Sequence, residues 1–208
     1  MRFENGSVGG TNRVMACYKD AATESEPTDK YRRLNNRPEN ALLGVMYNGD
    51  RDNLYNTWDD IYNPTYGGYD FVITSSNDPY YANTGLNNGD TLNALVGFEW
   101  DVTFNNGAAP SNLVILAESP VNATTVDDAD GNDRSTPSGT PQTSNAVRYT
   151  AASGAKVFST GSMQWMWGLD SDGVTPNRTD RRAKQIATNV LADMGARPVN
   201  PDIDIIVP

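Results

Sequence analysis

The sequence contains no histidine. That excludes Ser-His-Asp and Cys-His catalysis, zinc sites built on imidazole, and the usual general base that titrates near neutrality. It contains one cysteine, Cys17, so an intramolecular disulfide and thiolate metal clusters are excluded as well. Cys17 sits in the apolar run Val14-Met15-Ala16-Cys17-Tyr18, the setting of a buried structural thiol rather than a nucleophile. Long hydrophobic runs are lacking too. None approaches the roughly 20 apolar residues that span a membrane, and Met1-Arg2-Phe3-Glu4-Asn5-Gly6 has no apolar core of a signal peptide. Positive charge is scarce: 16 Lys and Arg stand against 26 Asp and Glu, a formal net charge of −10. This excludes a nucleic-acid partner and argues against an anionic membrane surface. The acidity itself reads as solubility. Chemistry therefore falls to Asp, Glu, Tyr, Lys, Cys17 or a metal held by oxygen.

What is present is a series of short strand-like runs in a chain of 208 residues, enough for one sizeable domain. Arg13–Tyr18, Leu42–Tyr47, Tyr69–Thr74, Ala94–Trp100, Leu113–Ala117 and Val147–Ala151 are each bounded by Gly, Asn, Asp or Pro, as strands are. Asn48-Gly49, Asn88-Gly89 and Asn106-Gly107 predict turns. Asp20–Asn40 reads as a charged loop, and 122–144, rich in Asp, Thr, Ser, Gly and Pro, as a surface loop between two strands.

The last part of the chain is different. Lys156 to Gly161 predicts a strand stopped by glycine, and Met163, Trp165 and Trp167 alternate as on a second strand. Ala183, Ile186, Ala187, Val190, Leu191 and Met194 then fall at helical spacing from about Asp180, with Thr179 as N-cap, Gly195 as the C′ residue and Pro198 as the stop. One convincing helix cannot cover both faces of a parallel sheet. The chain is thus a β-rich α+β fold or the closing portion of an α/β domain, treated as a single domain over 1–208.

Candidate chemistry is carried by oxygen. Glu99 and Asp101 in Gly97-Phe98-Glu99-Trp100-Asp101 share one face of a strand, close enough to share a proton or a metal. Pairing with an Arg or with backbone amides is the structural alternative. Asp128, Asp130 and Asp133, around Gly131, have the oxygen density and tight turn that calcium favours, although the rest of the EF-hand spacing is absent. Trp165 and Trp167 read as core rather than as a stacking platform. Tyr80 and Tyr81, and Trp58 with Tyr55 and Tyr62, lie in polar surroundings that suit an exposed aromatic surface. Tyr18-Lys19-Asp20 follows a strand, where ligands often sit and a Lys beside a Tyr could polarise a substrate, but a simple Lys19–Asp20 pair is the preferred reading. Arg37-Pro38-Glu39-Asn40 predicts a turn whose Asn or Glu side chain satisfies loose backbone groups. Asn5, Asn122 and Asn177 head Asn-Xaa-Ser/Thr triplets, which arise readily by chance in a sequence rich in these residues.

Several of these segments, in order, resemble a known family: Val14–Lys19, Arg37–Gly44, Leu95–Asp101, Tyr149–Phe158, Gly161–Asp170 and the helix with Ala187–Met194. Together they resemble the C-terminal domain of N,N-dimethylformamidase large-subunit-like proteins, over about Arg13 to Gly195. The resemblance implies the C-terminal part of a glutamine-amidotransferase-like or flavodoxin-like α/β domain. It implies an amidase-like hydrolase that cleaves a small amide or formamide through metal-activated water, with iron held by two tyrosines and a glutamate matched here by Glu99. The family's tyrosines are expected upstream of Arg13, which makes an incomplete site part of the same expectation. It further implies an extracellular setting. The competing expectation is a non-catalytic extracellular module that binds a glycan or a protein, with self-association through open strand edges.

Overall fold

A computed structural model of the chain describes residues 2–8, 11–17, 37–50, 68–97, 99–130, 133–170 and 177–208. Strands β1 (Arg2–Val8) and β2 (Thr11–Cys17) form an antiparallel hairpin, Arg2 opposite Cys17. The main sheet has five antiparallel strands: β3 (Met46–Asp50), β6 (Glu99–Val102), β7 (Val114–Asp127), β8 (Asp133–Thr150) and β9 (Lys156–Ser159), in the order β6-β3-β7-β8-β9. A second antiparallel pair, β4 (Tyr69–Val72) and β5 (Thr91–Val96), adjoins β7 through an Ile73–Ala117 bridge and the Thr74 N–H donated to Leu116 O. The molecule is β-rich with few helices, as expected.

Long antiparallel pairing of β7 with β8 organises the rest. The stretch 122–144, expected as a surface loop, is the outer half of this hairpin: Asn122 lies opposite Pro141, Thr125 opposite Ser135 and Asp127 opposite Asp133. Its Val121, Ala123 and Asp127 alternate inward and are buried, so period-two patterning outweighs the polar composition. The strand Leu42–Tyr47 is also corrected. Asn40–Leu43 forms one helical turn, α1, ended by Gly44 at φ +79°, and β3 starts only at Met46. Asn48-Gly49, expected as a turn, lies inside β3, whereas Asn88-Gly89 does turn, with Gly89 at φ +90°.

The sheet curls until its ends meet. Asp101 N–H on β6 donates to Gly161 O just beyond β9 (2.8 Å), and Thr103 N–H donates to the Asn145 side chain of β8 (3.1 Å). Against this curl lies the core of Phe71, Leu95, Trp100, Leu116, Trp165 and Ile186. Met163–Gly168, expected as a strand, is a 3-10 helix. Gly161, at φ +72°, breaks the extended run, and the Ser162 side chain then accepts the Gln164 N–H as a cap. The threefold period puts Met163 and Met166 on one outward face and turns Gln164 and Trp165 inward.

The predicted C-terminal helix, α2, spans Arg181–Asp193. Its cap is Asp180 rather than Thr179: the Asp180 carboxylate accepts the Arg182 N–H and the Arg182 guanidinium. Burial opposes that charge, but the Arg182 hydrogen bonds outweigh it and hold the carboxyl below its ordinary range. Gly195 closes the helix as predicted, at φ +88°, with Gly195 N–H donated to Ala192 O and Ala196 N–H to Leu191 O. Ala183, Ile186 and Val190 are buried, and each larger side chain contributes about 1.5–3 kcal/mol. Leu191 and Met194 do not join that stripe; they are exposed, and Gln185 and Asn189 are buried instead.

Candidate functional site

Strand β6 carries Glu99 and Asp101 on one face and Trp100 on the other. Trp100 is buried, while both carboxylate residues are half-buried. Opposite them on β3, Tyr47 is in register with Asp101, Gly49 with Trp100 and Asp50 with Glu99. Directly opposed residues share a face of a sheet, so the Tyr47 phenol lies on the Glu99–Asp101 side. The extra residue between Tyr47 and Gly49 is Asn48, in a β-bulge. Its buried side chain accepts from Trp100 Nε1 (3.1 Å) and donates to Asp127 O (3.3 Å). The bulge thus ties β6, β3 and β7 together directly behind the acidic face, a common setting for functional sites.

The start of β6 is fixed by residues from the 3-10 helix. Ser162 Oγ accepts the Gly97 N–H (2.8 Å), and Gln164 Nε2 donates to Ala94 O (3.0 Å). A Cβ at Gly97 would stand 1.8 Å from Gln164 Oε1, so only glycine admits the packed carboxamide. Ala94 itself has φ +54°, an uncommon conformation for a non-glycine residue. Its carbonyl also accepts from Arg178 Nη1 (3.1 Å), and that guanidinium lies 4.7 Å from the centre of the Trp167 ring. Burial lowers the Arg178 pKa.

The other expected residues fall elsewhere. Asp128 and Asp130 sit at the β7–β8 turn, where Asp130 N–H donates to Asp128 Oδ1 (2.9 Å), and Asp133 opens β8 opposite Asp127. Among the described residues, no three of His, Cys, Asp and Glu form a metal-holding group. Tyr80 and Tyr81, expected on an aromatic surface, are buried. Tyr81 donates to Leu116 O (2.8 Å) and Tyr80 to Asp193 Oδ2 (3.0 Å). Burial, then the Asp193 hydrogen bond, pushes the Tyr80 phenol up to about 12. Their neighbours in sequence are polar because they cap the turn: Asp78 accepts the Tyr80 N–H and pairs with Arg148. Trp165 is core as expected, against Phe71 with ring centres 4.9 Å apart. Asn40 does satisfy loose groups, bonding Phe104 O and Asn106. Tyr18, Lys19, Asp20, Tyr55, Trp58 and Tyr62 lie outside the described residues.

Asn48, Gln164 and Arg178 were not marked by their sequence neighbours. Only the Asn-Gly pair inside an apolar run hinted at a bulge, and only Gly97 before a strand hinted at a close approach.

A family described as N,N-dimethylformamidase beta subunit-like, C-terminal, matches residues 1–180, and the chain belongs to it. No curated protein matches the chain.

Proposed function

From membership of this family, whose name indicates an amidase-type hydrolase, we propose that the chain acts on the C–N bond of a small amide or formamide. Glu99 and Asp101 carry its part of the site. The observation that carries this reading is the register of β6 on β3, which gathers two carboxylates and the Tyr47 phenol on one half-buried face. Amide hydrolysis needs a polarised carbonyl and a water relieved of a proton. Lacking histidine, the chain answers that need with oxygen groups. Carboxylates and phenols are hard donors; Glu99, with Tyr47 on its face, would hold an iron-type ion. Bound there, the ion would supply carbonyl polarisation and a water of lowered pKa. Asp101, on the same face of β6, would serve as the base that accepts a proton from the attacking water. Further oxygen donors are required to complete such a site. The same reading makes the chain the closing part of a glutamine-amidotransferase-like or flavodoxin-like α/β domain.

The test is metal content and absorbance of the purified chain. Wild type is expected to take up iron and to show a visible phenolate-to-metal band. Glu99→Gln should lower iron loading about tenfold or more, with the thermal midpoints of the metal-free proteins equal, and amine release from N,N-dimethylformamide should fall in step. A folded wild-type chain that takes up no transition metal overturns the metal-dependent part.

One observation favours a second reading, a non-catalytic extracellular module that assembles with protein. Met163 and Met166 are 52% and 64% exposed on one face of the 3-10 helix, and adaptable methionine faces suit protein partners. The glycan form of this reading loses Tyr80 and Tyr81 to the core. A pull-down that loses its partner on Met163→Ser/Met166→Ser, with metal content unchanged, would favour assembly.

A further inference from the structure

The sequence has four Asn-Gly pairs, beginning at Asn5, Asn48, Asn88 and Asn106. Such a pair can cyclise: the glycine nitrogen reaches the asparagine Cγ, and no Cβ on the following residue stands in the way. The fold treats the four differently. Asn5-Gly6 and Asn48-Gly49 lie inside paired strands, and Asn48 is buried with both ends of its amide bonded. Asn88 is exposed in a turn, but Gly89 N–H is donated to Ile73 O (2.8 Å), a bond that must break before that nitrogen turns on Cγ. Asn106 is exposed too, and among the described residues Gly107 N–H has no acceptor.

The Asn106 carboxamide is also held for that attack. Its Oδ1 accepts the Ala108 N–H (3.1 Å) and Asn40 Nδ2 (2.9 Å), while its Nδ2 donates to Asn40 Oδ1 (3.3 Å). Backbone groups fix both amides. Ala108 N–H requires oxygen on Asn106, and Phe104 O (3.3 Å) requires nitrogen on Asn40, which is fully buried. The ring closed by the Ala108 bond contains the Gly107 nitrogen and keeps it beside Cγ. Two donors on the carboxamide oxygen then stabilise the negative charge that gathers there as the nitrogen attacks, the role of an oxyanion hole. Adjacency in the chain supplies the proximity.

We propose that Asn106 is a site of intramolecular deamidation, and that its modification releases α1, which Asn40 begins, from the turn after β6. Hydroxide takes the Gly107 amide proton, and the nitrogen forms a bond to Asn106 Cγ. The Cγ–Nδ2 bond breaks, and its nitrogen leaves as ammonia with a proton from water, giving a succinimide. Water then opens either imide C–N bond and yields aspartate or isoaspartate at this position. The product has a carboxylate oxygen where Nδ2 met Asn40 Oδ1, so two acceptors face each other beside a buried amide. Isoaspartate adds a backbone methylene to the turn as well. The proposal is independent of Glu99 and of any metal.

Peptide mapping by mass spectrometry of the full chain, aged folded and in urea at mildly alkaline pH, tests it. In urea the four pairs should react alike. In the folded chain Asn48 and Asn88 should slow about tenfold or more, since each must open locally first, while Asn106 should keep its rate in urea or exceed it. Asn40→Ala and Ala108→Pro each remove one donor and should slow Asn106 about fivefold. Ala108→Pro leaves the buried Asn40 in place, so it decides this part even where Asn40→Ala folds poorly. Asn106→Asp, made directly, should lower the thermal midpoint by about 2–4 °C. Asn88 modified as fast as Asn106 in the folded chain, or Asn106 slower folded than in urea, would overturn the site. Donor variants that react as wild type does would overturn the polarisation, and an Asn106→Asp chain as stable as wild type would overturn the release of α1.

Discussion

Gly97, Gly161 and Gly195 each lack a side chain for a different reason, and their alanine variants separate those reasons. Gly195 needs only its left-handed backbone, since nothing lies within 4 Å of an added Cβ. Gly195→Ala should therefore cost about 1 kcal/mol, the strain of positive φ alone. Gly161 adds a clash to positive φ, because its Cβ would stand 2.2 Å from Asn145 O, a backbone atom that cannot step aside. Gly161→Ala should cost about 3 kcal/mol or more and loosen the closure of the sheet at Asp101. Gly97 has no positive φ in its account, but its Cβ would meet the buried Gln164 carboxamide. Gly97→Ala should displace that side chain and the start of β6 with it. Urea unfolding of the three variants gives the order; equal losses at Gly195 and Gly161 would refute the steric part of the argument.

At the scale of elements, Ser162 decides a local structure. Its hydroxyl accepts both the Gly97 and Gln164 N–H groups, so it caps the 3-10 helix and ties it to β6. Ser162→Ala should cost about 1–2 kcal/mol by thermal unfolding, whereas Ser162→Thr, which keeps the acceptor, should cost less. This is also where sequence reading reached its limit. The period of α2 was legible because thirteen helical residues repeat their pattern three times, and Gly195 marks the end chemically. In Met163–Gly168 the same few residues fit two periods, and alternation of Met163, Trp165 and Trp167 pointed to a strand. A single cap bond settles the competition, and no pattern in six residues could show it. The outer half of the β7–β8 hairpin was missed for the opposite reason: a real alternation of Val121 and Ala123 was masked by turn-forming residues around it. For the acidic face, Glu99 and Asp101 were legible from their spacing, but Tyr47 was not. It reaches that face through cross-strand register, which depends on residues some fifty positions away in sequence.

On the scale of the whole molecule, α2 is attached to the sheet by charge as well as by its apolar stripe. Lys156 on β9 bonds the Asp193 side chain and its carbonyl, Tyr80 donates to the same carboxylate, and Arg148 stacks over the Tyr80 ring, 5.4 Å from its centre. Arg148 is itself paired to Asp78, at the start of the turn that holds Tyr80. One network therefore joins two strands, a turn and the closing helix. Its pH response follows from the two groups that meet in it. The Lys156 hydrogen bond holds the Asp193 carboxyl below its ordinary value, so folding draws stability from it above the unfolded value of about 4. That stability is lost as pH falls through the lower folded value. Tyr80 behaves in the opposite sense. Its raised folded value means that stability is whole below about pH 10 and declines between there and about 12. Asp193→Asn separates the two limbs. It should lower the thermal midpoint at neutral pH and lose that deficit as the pH is taken below about 4, where the wild-type carboxylate is neutral too. On the alkaline side the variant should lose less stability than wild type from the same onset, because removing the Asp193 charge brings the folded Tyr80 value back toward its ordinary one and narrows the window of decline. Thermal melts of both proteins from acid to alkaline pH give both limbs, and a deficit that stayed constant with pH would show that Asp193 acts by packing and not by its charge.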